Sequence, residues 1–274
     1  MGGDLLRESS LENSELESSL LLSKALGIKV ADIYAHPERK VESDKAEEFK
    51  QLLERRLKRE PIAYILGEKE FYSRPFITTP DVLIPRPETE TLIEEGLKVT
   101  KSISHPLVVD AGTGSGCIAV TIGCECKDAQ ICATDISFEA LLIARANSKR
   151  HRVVERISLV RMDFLSGFKE ESIDIALSNP PYVAERDFSK LEPDVRDFEP
   201  RQSLLGGEDG LDCIRKIVHQ AGRVLKKGGW CIVEVGANQS ESVSKIFDYV
   251  GFIDISSVRD LSGIERVVKG KWIR

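Results

Sequence analysis

No apolar run in this chain approaches the roughly 20 residues that a membrane-crossing helix needs, so no transmembrane span is expected. The opening, MGGDLLRESS, lacks both a basic n-region and an apolar h-region, which speaks against a secretory signal. Gly2 follows Met1, but Leu6 stands where a myristoylation site wants Ser or Thr. An excess of positive charge is missing too: net charge is −6 and the sequence pI about 5.5. Duplex binding rests largely on cationic contacts to phosphates, so no stable nucleic-acid partner is expected. The six cysteines (Cys117, Cys124, Cys126, Cys132, Cys213, Cys231) lack metal-ligand spacing, because the single CEC pair is answered by no His or Cys pair at zinc-site distance. Several lie in apolar, strand-like runs such as QICATD and GGWCIVEVG, where a free thiol behaves as a small hydrophobe. No metal site is expected, and thiols of this kind point to a reducing cytoplasm. Internal repeats and disordered tracts are also lacking.

What is present is the composition of a globular protein: 274 residues, 41% hydrophobic and 31% charged, enough for one large domain and a smaller one. Residues 1–61 read as a small all-α N-terminal domain. Leu16, Leu20, Ala25 and Leu26 recur at helical spacing before Gly27, and Phe49, Leu52, Leu53 and Leu57 do so before Pro61. The basic run Lys50, Arg55, Arg56, Lys58 and Arg59 reads as a solvated helix face. Residues 62–88 have strand-like pieces broken by prolines, a hairpin-like connector ending in a stiff turn, with Pro87 opening the next helix at its first position. Over residues 89–274 strand and helix patterns alternate, with the segment LDCIRKIVHQAGRVLKKGG read as one helix and a helix starting at Ser115. This predicts an α/β catalytic domain whose mostly parallel, Rossmann-like sheet is covered on both faces. The last two strand-like runs are too close for a crossover helix and should form an antiparallel edge hairpin.

VVDAGTGSG sets Gly112, Gly114 and Gly116 between a buried strand and a helix, where backbone can approach a ligand closely. The dinucleotide fingerprint needs a glycine at position 117, where Cys117 stands, so the nicotinamide form fails. Asp110 would repel a pyrophosphate but suits a ligand carrying an ammonium group. Asp135 ends the next strand, where a carboxylate can accept ribose hydroxyls. Asp163 and Phe164 end the third, where an acid can receive an adenine amine and an aromatic can lie against the ring. Each alone is equally a helix cap or core filler. Together they describe a pocket for adenosine with a cationic amino-acid tail, S-adenosylmethionine.

SNPPYV follows the fourth strand, IDIALS. A residue before proline is held extended, which fixes Asn179. Its side-chain oxygen and the Pro180 carbonyl make two rigid acceptors, with Pro181 stiffening the turn and Tyr182 as a flat wall. That set matches a planar NH2 group, an amide or a base amine, whose lone pair can be aimed at an activated methyl. None of these residues is an acid, base or nucleophile, because positioning is the chemistry.

Taken together these segments resemble the HemK/PrmC-type protein-(glutamine-N5) methyltransferases over nearly the whole chain. AYILGEKEFY and IPRPETE resemble that family's connector, DAGTGSG its donor loop, SNPPYV its catalytic motif, FEPRQSLLGGEDGLD the loop after it and RDLSGIERVV its closing hairpin. The resemblance implies the class I methyltransferase fold. It implies that residues Gly112, Thr113, Gly114, Ser115 and Gly116 hold S-adenosylmethionine with Asp135, with Asp163 and Phe164 near adenine. It further implies that Asn179 and Pro180 accept hydrogen bonds from a substrate glutamine, with Tyr182 packing beside it. The target so implied is the glutamine of a Gly-Gly-Gln tripeptide in class 1 peptide chain release factors, with the helical domain helping to dock them. Arg86 and Glu88 are placed near the substrate mouth, either as substrate contacts or as an ion pair shaping the turn. Glutamine methylation of a ribosomal protein, adenine-N6 methylation of DNA and a non-catalytic adaptor remain the alternatives.

Overall fold

Apolar residues three and four apart line one stripe of a helix, and the start of the chain folds accordingly. Its helices are α1 Gly2–Glu8, α2 Ser14–Leu26, α3 Val30–Ala35, α4 Ser43–Leu57 and α5 Ile62–Leu66. The structure, a computed structural model, describes residues 2–9, 11 and 13–274. Leu6, Leu21, Ala25, Leu52, Leu53 and Ile65 meet in one apolar cluster. Gly27 closes α2 in the left-handed conformation, at φ 65°, with its N–H on the Lys24 carbonyl.

Strands β1 Glu68–Phe71 and β2 Arg74–Ile77 pair as a hairpin. Then follow α6 Thr89–Thr100, β3 Leu107–Ala111, α7 Cys117–Glu125, β4 Gln130–Asp135, α8 Phe138–Arg150, β5 Ile157–Arg161 and β6 Ile173–Ser178. The short α9 Pro193–Arg196 precedes α10 Asp212–Val224, β7 Leu225–Glu234, α11 Ser240–Val250, β8 Ile253–Arg259 and β9 Glu265–Lys271. Residues 1–68 and 192–198 form one compact unit, and residues 69–191 and 199–274 the other.

The second unit holds a seven-stranded sheet in the order β5-β4-β3-β6-β7-β9-β8. Strands β3 to β7 run parallel, whereas β9 is antiparallel to both β7 and β8, the edge hairpin expected from the sequence. Neighbouring residues such as Val108 and Val109, Ile175 and Ala176, or Ile232 and Val233 enter opposite apolar clusters. Both faces of the sheet are therefore covered, which is why its strands read as nearly continuous apolar runs. Strand order reverses between β3 and β6, the place where open α/β sheets leave a crevice at their carboxyl ends. No helix among the described residues is long and apolar enough to cross a membrane.

Four local expectations change. Helix α7 starts at Cys117 rather than Ser115, because Gly116 caps it at φ 81°. Pro87 sits one residue before the α6 cap, Glu88, in a turn where the Thr89 N–H reaches the Arg86 carbonyl at 3.1 Å. Helix α10 stops at Val224, and LKKGG belongs to β7 instead of a helix end. There the pairing jumps from Ile173–Leu225 to Ile175–Trp230, a bulge containing Gly228 at φ 87°.

The fourth concerns Arg56, which is not solvated at all: it is 5% exposed. Its guanidinium donates to Glu17 Oε2 at 2.7 Å, Asp194 Oδ2 at 2.6 Å and the Glu60 carbonyl at 3.1 Å. One cation thus joins α2, α4 and the 192–198 segment. Removing one partner of a buried ion pair leaves the others uncompensated, at a cost of about 3–5 kcal/mol. Arg56→Met is accordingly expected to lower the unfolding free energy of the helical unit by that amount, read from urea melts followed by far-ultraviolet circular dichroism.

Candidate active site

At the end of β3 the chain must turn tightly into α7. The N–H groups of Gly112 and Thr113 both donate to the Thr134 carbonyl of β4, at 2.9 and 2.8 Å. A Cβ on Gly116 would lie 3.0 Å from the Ala144 Cα of α8, so only glycine lets the loop press against that helix. Asn147 of α8, fully buried, ties the loop to the hairpin. Its Oδ1 accepts from the Ile77 N–H at 2.7 Å, while its Nδ2 donates to the Ser115 and Ile77 carbonyls at 2.8 and 3.1 Å. The sequence reading passed over Asn147, although its helical spacing from Ala140 and Ala144 on one face of α8 was its signal.

Asp110 also departs from expectation. It lies wholly buried behind the loop, and no part of it faces the cavity that the ligand ammonium would enter. Its Oδ2 accepts from Thr113 Oγ1 at 2.6 Å and the Ala119 N–H at 3.0 Å, so it braces loop and helix. Its Oδ1 has no hydrogen-bond partner.

A cavity of about 470 Å³ opens at the carboxyl ends of the strands, within the size range of small-molecule sites. Among the residues singled out in the sequence, Gly112, Thr113, Gly114, Ser115, Asp135, Asp163, Phe164, Asn179, Pro181 and Arg86 line it. Gly116, Pro180, Tyr182 and Glu88 are not part of its wall. Asp135 is held by two backbone donors, Gly114 N–H and Ser137 N–H, each at 2.9 Å. Burial pushes its carboxyl above the ordinary value while those bonds pull it back. Each carboxylate oxygen keeps a free lone pair for a diol. Asp163 is hydrogen-bonded and ion-paired to Lys216 of α10, a cavity residue the sequence reading missed. Phe164 adopts φ 52°, its carbonyl accepting from Thr134 Oγ1 at 2.8 Å, and its ring comes within 3.4 Å of where a Gly112 Cβ would stand. A glycine floor, an acid at the second strand end and a ring laid against the loop fit adenosine.

Asn179 follows β6. Its Nδ2 donates to Thr89 Oγ1 at 2.9 Å, and its Oδ1 is buried with no partner. Thr89 Oγ1 in turn donates to Glu234 Oε2 at 2.6 Å. Tyr182 packs partly buried against the core, with its hydroxyl 3.5 Å from Glu234 Oε1. Burial raises its phenol, so the ring stays neutral. Arg86 pairs with Glu199 and not with Glu88, and the Glu199 carboxylate also accepts from the Ile84 N–H at 3.2 Å. Two turns back the motif: the Gly206 N–H donates to the Val183 carbonyl at 2.9 Å, and Gln239 Nε2 donates to the Tyr182 carbonyl at 3.0 Å.

Burial pushes both Asp110 and Glu234 up to about 7, from ordinary values of 3.8 and 4.5. The folded state then binds protons more tightly than the unfolded chain between those values, so unfolding free energy falls as pH rises through that window. Between about pH 5.5 and 8 the ligand-free protein is expected to lose on the order of 1–2 kcal/mol per group. Calorimetric melts across that range should show Tm dropping by several degrees.

Residues 1–67 match the family model of the PrmC N-terminal domain and residues 89–192 that of the methyltransferase small domain. A release factor glutamine methyltransferase of Geobacter sulfurreducens is 40% identical over 266 residues, covering 97% of this chain and 92% of its own. One from Nitratidesulfovibrio vulgaris is 41% identical over 266 residues, covering 96% of this chain and 90% of its own. Among solved structures, a methyltransferase from Pyrococcus furiosus superposes with a TM-score of 0.55 at 16% identity, over 75% of this chain and 92% of that one. The N-terminal domain of human METTL16 in complex with SAH gives 0.53 at 16% identity, over 73% of this chain and 76% of that one. Those two show the shared methyltransferase fold, and the full-length similarity shows the family: the chain belongs to the release factor glutamine methyltransferases.

Proposed function

We propose that this enzyme transfers a methyl group from S-adenosylmethionine to the side-chain amide nitrogen of the glutamine in the Gly-Gly-Gln motif of class 1 peptide chain release factors, in the cytoplasm, leaving S-adenosylhomocysteine. The observation that carries the reading is the buried, unpartnered Oδ1 of Asn179, a residue in the wall of a cavity suited to adenosine. The bound donor supplies an electrophilic methyl on a sulfonium. Residues 112–116, Asp135, Asp163 and Phe164 hold that donor. Asn179 Oδ1 and the Pro180 carbonyl accept the two amide hydrogens of the glutamine, turning its lone pair towards the donor and stabilising positive charge as it develops on nitrogen. Pro181 and Tyr182 stiffen and wall this clamp. No general base is required, since the nitrogen becomes acidic as it is alkylated and passes its proton to water. Arg86, anchored by Glu199, keeps the mouth in shape, and Glu88 lies at the same turn. In this reading residues 1–61 dock the release factor, 62–88 connect and 89–274 catalyse.

Incubation with labelled donor and purified release factors, followed by mass mapping, is expected to place one methyl on the Gly-Gly-Gln glutamine. Label on a ribosomal protein or on DNA, with none on a release factor, overturns the proposal.

A further inference from the structure

A carboxamide carries an oxygen on one side and an NH2 on the other, and either end fits the same space. The partner of Asn179 decides which end faces the substrate. Thr89, the first residue of α6, has a single hydroxyl hydrogen, which it gives to the Glu234 carboxylate. An ionised carboxylate has no hydrogen to return, so Thr89 Oγ1 presents only lone pairs to Asn179. The amide must then point its NH2 at Thr89, at 2.9 Å, which leaves Oδ1 as the unpartnered end of a residue that lines the cavity.

We propose that Glu234, acting through Thr89, is a positioning residue that fixes the Asn179 amide as a pure hydrogen-bond acceptor and so selects an NH2-bearing side chain as the methyl acceptor. The proposal rests on the reading of Asn179 as the amide clamp. Around Glu234 stand Arg266 of β9, Glu88 ahead of α6, the Tyr182 phenol and, on α7, the Cys117 thiol. Arg266 favours the ionised carboxylate and Glu88 opposes it, while burial is the largest influence and raises the group to about 7. When Glu234 takes a proton it can donate to Thr89, which frees the threonine hydrogen for the Asn179 oxygen. The amide is then free to turn over, presenting NH2 to a substrate NH2. Methyl transfer is therefore lost as pH falls through the Glu234 value.

The test compares kcat and KM for a release factor, and donor affinity by calorimetry, in the wild type, Thr89→Val, Thr89→Ser, Glu234→Gln, the double Thr89→Val/Glu234→Gln variant and Asn179→Ala, between about pH 6 and 9. Thr89→Val and Glu234→Gln are expected to lower kcat about 10–100-fold with donor affinity within about threefold, and the double variant to fall no further. Thr89→Ser, which keeps the hydroxyl, should recover most of kcat. The wild type should show an acid limb near pH 7 that is absent in Thr89→Val. Full kcat in Thr89→Val, equal impairment of the serine and valine variants, or an acid limb surviving in Thr89→Val overturns the relay. Asn179→Ala separates the two ideas. If it is inactive while Thr89→Val is unimpaired, only the relay fails; if it retains full kcat, the clamp itself fails.

Discussion

Asn179→Ala is expected to lower kcat for methyl transfer by about 10²–10³ while donor affinity changes by less than about tenfold. In the proposed reading the donor is held elsewhere, by the glycine loop, Asp135 and Phe164, which line the cavity. What alanine removes is the one buried side-chain acceptor that, among the described residues lining the cavity, has no hydrogen-bond partner. A fixed acceptor already in place needs no reorganisation as charge appears on the substrate nitrogen, which is why its loss falls on kcat. Water entering the vacated space can accept a hydrogen bond but does not hold the nitrogen in line. Asn179→Asp is expected to be nearly as poor despite its matching shape, because Thr89 then faces two carboxylates with one hydrogen to share. Single-turnover rates at saturating donor, beside calorimetric binding, check both; wild-type rates in Asn179→Ala contradict the assignment.

The parts of this site that could be read from the sequence are those whose logic is local. Gly112, Asp135, Phe164 and Asn179 each terminate or follow a strand that announces itself as an apolar run, and a sheet with helices on both faces brings strand ends to one edge. The partners that orient them are not local. Asn179 and Thr89 are separated by 90 positions, and Thr89 and Glu234 by 145. No periodicity links such residues, so neither Thr89 nor Glu234 stands out in the sequence. Arg56 escaped for the same reason, its burial depending on Asp194, 138 positions away. The LKKGG segment was misread for a different one: strand pairing with β6 overrode the helical continuation that its lysines suggested.

Gly210→Ala should damage catalysis at a distance. Gly210 lies outside the cavity wall, yet it packs directly behind the NPPY turn. It holds φ 81°, a left-handed conformation that costs an alanine about 1 kcal/mol. The added Cβ would also strike the Tyr182 carbonyl and lie 3.1 Å from the Ala184 nitrogen, both backbone atoms that no rotamer change can move aside. The Cβ would also lie 2.9 Å from Gln239 Nε2, the donor to the Tyr182 carbonyl, so relief must come from shifting the turn that carries Asn179 and loosening that hydrogen bond. Displacements approaching 1 Å in a positioning site cost on the order of 10²-fold. Gly210→Ala is therefore expected to lose about 2–4 kcal/mol of stability and at least tenfold in kcat, with donor affinity little changed. Gly228→Ala is the matched control. It imposes similar strain at φ 87°, but its Cβ would meet nothing within 4 Å, so a modest fall in Tm with unchanged kcat is expected. Equal kcat in the two variants would show that the glycine turn serves folding alone and does not aim the clamp.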